Sequence, residues 1–219
     1  KNEVNTIYNK RIKEEKLTED EIEKFKTYTL LHLGELYYDK GWAMQLHLGA
    51  IRNNNKRMYE KLGPDTGYDS IGDFHLASKL SSFLDSLEQQ NKLPKTILYC
   101  LNSRDNQILA SMAGNFQSSE IKGKVQLGTA WWFHDTIDGM EEQLKTIANI
   151  GLISNFIGMV TDSRSFLSLT RHEYFRRVLC NLLGVWVEQG KAPNDFSLLS
   201  KYVSDICYYN VKHYFQLDM

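Results

Sequence analysis

An α/β fold built on a parallel sheet, with the content of about half a closed (β/α)8 barrel plus a helical tail, follows from three features of the 219-residue sequence. Short apolar runs suited to strands alternate with longer segments of helical spacing, the order that calls for right-handed crossovers and a parallel sheet. Four such runs occur, opening at Met44, Thr96, Lys124 and Phe156, where a closed barrel needs eight strands and typically ~250 residues. Polar or aromatic residues sit at the C-terminal exit of each run: His47, then Asn102 with Arg104, then Trp131 with Trp132, then Asp162 with Arg164. That end of a parallel sheet is where ligands bind.

In chain order, residues 1–17 are charged and weakly periodic, and read as a surface helix or an arm, with a solvated segment as the preferred alternative. Thr18 and Glu21 form a capping-box pattern. Ile22, Phe25, Tyr28, Thr29 and Leu33 continue it at helical spacing to about Lys40, with Gly41 as the stop. In the stretch MQLHLGAIRNNN, Gln45 and His47 share one strand face and Met44, Leu46 and Leu48 the other, before a polar loop opens with Arg52. Asn53 to Asp73 is rich in Gly and Asp, and a connection that long in a compact domain is usually a functional loop. His75 to Asn91 is a helix, Thr96–Leu101 a buried strand, and the segment to about Phe116 a second crossover helix. Lys124 to Trp132 is a third strand, Asp138 to Ile150 a helix closed by Gly151, and Phe156 to Arg164 a fourth strand. Thr170 to Gln189 and Asp195 to Leu217 are apolar helices that finish a single domain over 1–219.

With 26 basic and 27 acidic residues, nothing drives the chain toward nucleic acid or an anionic membrane. The longest apolar runs fall far short of the ~20 residues of a membrane helix. Cys100, Cys180 and Cys207 each lie in an apolar segment without metal-type spacing, and read as buried thiols of a cytoplasmic protein. The chain opens on Lys1, so the expectation is that a further segment lies upstream.

The chemistry follows from residue types. On a strand, Asp162 and Arg164 point the same way, above Val160 and Gly158. A carboxylate beside a guanidinium stays ionised and suits a proton or a metal ion, while the arginine suits an anionic group. His47 and Arg52 form the rim of the same end. A structural ion pair and a hydrogen-bonded core histidine are the alternatives. Strand parity puts Trp131 and Trp132 on opposite faces and leaves open which one faces the site.

The strings MQLHLGAIRNNN, LGPDTGYDSIGD, LNSRDN, WWF, GMVTDSRSF and TRHEYFRRVLCNLLG, from about Gly41 to Gly184, resemble the uronate isomerase (glucuronate isomerase) family of the amidohydrolase superfamily. The resemblance implies a C-terminal half-barrel carrying strands five to eight. It also implies interconversion of D-glucuronate with D-fructuronate and of D-galacturonate with D-tagaturonate. Asp162 is then the strand-eight metal ligand and candidate base, and Arg164 its companion. His47 and Arg52 line the substrate site, and Trp131, rather than Trp132, forms its wall. The cofactor implied is Zn2+ or another divalent ion, held incompletely, since His32, His47, His75, His134, His172 and His213 contain no His-x-His pair. The partners expected are hexuronates and either a second copy or the N-terminal half of the same enzyme. The rival readings are a metal-dependent hydrolase of the same superfamily and a non-catalytic sugar-binding or structural half-barrel.

Overall fold

The computed structural model describes residues 1–163 and 165–217. They fall into two compact units, Lys1–Met44 with Leu80–Lys95, and Gln45–Lys79 with Thr96–Met219.

The first unit is helical. Of the readings of the charged start, the surface helix holds and the loose arm does not: Asn2–Ile12 forms α1, with Ile7 only 2% exposed. Its Glu3 and Lys10 pair with Lys24 and Glu21 of α2, Glu19–Asp39. Thr18 caps α2 as its spacing predicts, accepting from the Glu21 amide while the Glu21 carboxylate accepts from the Thr18 amide at 2.9 Å. Burial of α2 is slight, however, and Gly34 is its one fully buried residue. A side chain at Gly34 would press on Leu87. Leu87 belongs, with Leu80 and Leu84, to the buried stripe of the Ala77–Glu88 helix.

The second unit carries the sheet. All but the first residue or two of its strands β1 (Ala43–Leu48) and β4 (Lys95–Cys100) fall in that unit, and with β5 (Val125–Leu127) they lie in the order β1-β4-β5. β4 is buried along its whole length, as an apolar run in the middle of a parallel sheet must be. It pairs in parallel with β5, Ile97 opposite Gln126. The long loop is an ordered hairpin: β2 (Ala50–Ile51) and β3 (Ser70–Ile71) are antiparallel and enclose α3 (Lys56–Leu62), which Asn55 caps. The helix Ala77–Glu88 is α4, and α5 (Asp105–Gly114), α6 (Ile137–Ile150) and α7 (Thr170–Glu188) follow. α5 packs on β5, α6 on α5 and α7 on α6. α7 buries Phe175, Val178, Leu179, Leu182 and Leu183, an uninterrupted helical stripe.

Three expectations are corrected. The third strand is three residues long instead of nine, and the chain leaves it through a 3-10 turn at Trp132–His134, with Trp132 at φ +52. The fourth run, although buried from Phe156 to Met159, joins no ladder among the described residues, so three strands are hydrogen-bonded where four were expected. Side chains take up its backbone groups instead: Gln126 Oε1 accepts from the Ile157 amide at 3.1 Å, and Asn210 Nδ2 donates to the Phe156 carbonyl at 2.8 Å. Gly158 at φ +74 bends it out of strand geometry. The last helix runs on as expected, continuous through α8 (Phe196–Ser204), a π turn at Asp205–Tyr209 and α9 (Asn210–Phe215). Only Cys100 is a fully buried thiol, its pKa pushed up to about 12 chiefly by burial. Cys207 is partly buried and Cys180 exposed, because Cys180 sits off the buried stripe of α7.

Candidate active site

His47 leaves β1 one residue before its end and lies in a box of aromatic rings. It stacks on Tyr99 of β4 with ring centroids 4.5 Å apart and an interplanar angle of 8°, while Trp131 meets it edge-on, also at 4.5 Å. The Tyr99 hydroxyl donates to Gln45 Oε1 at 2.8 Å, which fixes the ring on which His47 rests. Across from the imidazole, Asp162 Oδ2 stands 3.9 Å from His47 Nε2. Burial pushes the His47 pKa down, and the opposing pull of the Asp162 charge does not restore it. The pair is therefore a neutral imidazole facing a carboxylate at neutral pH, rather than an ion pair.

Arg52 follows β2. Its Nη1 bonds Asp69 Oδ2 at 3.0 Å and lies 3.7 Å from Asp65, and its guanidinium sits over the Trp132 ring at 5.2 Å. Asp69 is in turn anchored by the Asn53 amide at 2.8 Å, so the hairpin holds Arg52 in place from below. Arg52, Trp131, Trp132, Thr161, Asp162, Ser163 and Arg171 line a cavity of about 380 Å³. Asp162 also borders a larger cavity of about 650 Å³, together with His172, Phe175, Arg176 and Cys207.

The structure thus brings His47, Arg52, Trp131 and Asp162 together, and Arg164 lies outside the described residues. Trp132 joins them, because the turn at φ +52 brings both indoles to one cavity where strand parity would separate them. Asn102 and Arg104 do other work: Asn102 Nδ2 donates to the Gly72 carbonyl at 3.0 Å and Arg104 Nη2 to the Phe74 carbonyl at 3.1 Å, tying down the hairpin's return. Tyr99, Asp69 and Arg171 also touch or line this cluster, and spacing alone does not single them out. Tyr99 was visible only as part of an apolar run, and Arg171 only as one of several arginines in TRHEYFRR.

Among the described residues no set of three His, Cys, Asp or Glu side chains comes together to hold a metal ion. His47 and Asp162 supply two donors, short of the three or four protein ligands that a zinc site uses, so this set alone does not fit a divalent metal. No helix of the described residues is long and apolar enough to cross a membrane.

A carboxylate, a neutral imidazole, an anchored guanidinium and an aromatic wall meet at one end of a helix-flanked parallel sheet, in a polar cavity of the kind that takes a small ligand. The family model described as glucuronate isomerase matches residues 1–215, beyond both ends of the stretch where the sequence motifs lie. The chain belongs to that family. It is 62% identical over 213 residues to a uronate isomerase of Caldicellulosiruptor bescii, covering 97% of this chain and 46% of that protein. A uronate isomerase of Bacillus licheniformis is 59% identical over 217 residues, covering 99% and 46%. Of solved structures, the uronate isomerase of Thermotoga maritima superposes with a TM-score of 0.88 at 36% identity, covering 98% of this chain and 46% of that one. The glucuronate isomerase of Caulobacter crescentus does so with 0.86 at 27%, covering 99% and 44%. The chain therefore spans about half the length of the relatives it matches.

Proposed function

We propose that the chain is the C-terminal half of a uronate isomerase and supplies half the site for aldose–ketose isomerisation of hexuronates, D-glucuronate to D-fructuronate and D-galacturonate to D-tagaturonate. The observation that carries the reading is the Asp162 carboxylate opposed at 3.9 Å to a neutral His47, in a chain so close to uronate isomerases over nearly its whole length. In this reading the sheet and the Phe156–Val160 run are strands five to eight of a (β/α)8 barrel. The larger cavity beside Asp162, with the exposed Phe166 and Leu167, is where the rest of the barrel or a second copy closes the wall.

Moving a carbonyl from C1 to C2 requires removal of a proton beside the carbonyl, stabilisation of an enediol, and return of the proton one carbon away. Asp162 takes and returns the proton. His47, uncharged, offers a ring N–H to the oxygens on which charge develops, and Arg164 is placed by its sequence neighbourhood to share that task. Arg52 receives the distant carboxylate of the uronate, since a guanidinium can make two parallel hydrogen bonds to it even with one edge committed to Asp69. Trp131 packs against the sugar's carbon face. Asp162 would also be one ligand of a divalent ion whose other ligands would come from elsewhere in the full-length enzyme, and the enzyme works in the cytoplasm.

The chain alone should turn over D-glucuronate little or not at all. Joined to the remainder of the Caldicellulosiruptor bescii enzyme, it should restore conversion, and Asp162→Asn should lower turnover ~10²-fold or more without unfolding the protein. A folded but inactive hybrid, or near-normal turnover in Asp162→Asn, would remove this assignment.

A further inference from the structure

Asp162 stands at φ +47, a conformation that a residue with a side chain keeps only where its surroundings over-determine it. The group best placed to do so is Arg171, the second residue of α7. Its Nη1 donates at 2.9 Å to the carbonyl of Thr161, the peptide that leads directly into Asp162. Its Nη2 pairs with the carboxylate of Asp135. Asp135 ends the 3-10 turn that carries the two tryptophans, and its side chain is only 10% exposed. One planar guanidinium therefore ties the bend at Asp162 to the turn that sets the aromatic wall. Its place at the N-terminus of α7 makes the point sharper. A cation there is disfavoured by the helix dipole, so packing within α7 does not account for it, whereas the clasp does.

We propose that Arg171 is a positioning residue for the isomerisation: with Asp135 it clasps the Thr161 peptide and so fixes the Asp162 carboxylate against His47 and the tryptophan wall. The proposal rests on the isomerase reading above. Lysine keeps the charge but lacks the two-pronged geometry, so it can hold Asp135 or the Thr161 carbonyl and not both at once.

The test is a double-mutant cycle in the hybrid enzyme, with D-glucuronate as substrate. Arg171→Lys should lower kcat ~10- to 100-fold, the scale of a displacement of about 1 Å in a reacting group, and leave KM nearly unchanged. Added to Asp162→Asn it should cost almost nothing further, because it acts through Asp162. Where Arg171→Lys does not fold, Asp135→Asn, which keeps the shape and removes the charge, should give the same pattern. Unchanged kcat in a folded variant, losses that multiply in the double variant, or a rise in KM with kcat intact would each overturn the proposal. If the unsubstituted hybrid is folded and inactive, the isomerase reading itself falls and takes the proposal with it. If that hybrid is active and the cycle is additive, only the role of Arg171 falls.

Discussion

Gly158→Ala should destabilise the second unit by ~2–5 kcal/mol, and the size follows from two separate costs. Gly158 sits at φ +74, and a residue with a Cβ in the left-handed region loses ~1–2 kcal/mol. The added Cβ would also lie 2.2 Å from the Ile206 carbonyl oxygen, far inside contact distance. Ile206 cannot easily retreat: it is 1% exposed, it lies in the π turn, and the neighbouring Asn210 is bonded to the Ser154 and Phe156 carbonyls. Overpacking against a backbone of this kind typically adds ~1–3 kcal/mol. Urea denaturation gives the difference from the midpoint and slope, and Gly41→Ala is the internal control. Gly41 has φ +67 with nothing within 4 Å of a built Cβ, so it reports the conformational cost alone. If Gly158→Ala loses no more than Gly41→Ala, the Ile206 carbonyl does not close the space beside Gly158, and the steric part of the cost falls.

Two further predictions concern the site. Arg52→Lys in the hybrid should raise KM ~10-fold or more with kcat little changed, because a point charge loses one of two parallel hydrogen bonds to the substrate carboxylate; steady-state kinetics with an unchanged KM would move that role elsewhere. Burial holds His47 below its ordinary pKa of 6.5, so the folded state binds fewer protons than the unfolded chain once the pH falls below that value. The stability tied to this group is complete above about pH 6.5 and is lost as the pH drops from there through the folded pKa. His134 and His172 are lowered by burial too, and titrate in the same sense. His47→Asn should therefore make urea midpoints fall less steeply between about pH 7 and pH 5 than in the parent, and identical slopes would refute the neutral-imidazole assignment.

What the sequence by itself determined are features decided by neighbours a few residues apart. Thr18 and Glu21 cap α2 across one turn, and the apolar spacings of α4 and α7 put their leucines on one face. The β4 run was legible because continuous apolar character suits a strand buried on both faces. His47, Arg52 and Asp162 could be picked out by type and position at strand exits, and the family by its motifs. The tertiary structure alone decided matters that depend on distant partners. Phe156–Val160 has the composition of a strand, yet Gln126 and Asn210, about 30 and 54 positions away, supply its hydrogen bonds and no ladder forms. The two tryptophans share a cavity because of a backbone turn that no side-chain alternation could announce. Asn102 and Arg104 went to the hairpin and Arg171 came to the site because long polar side chains bind whichever carbonyls the fold leaves within reach. That choice is made by the packing of whole elements, after local spacing has finished its work.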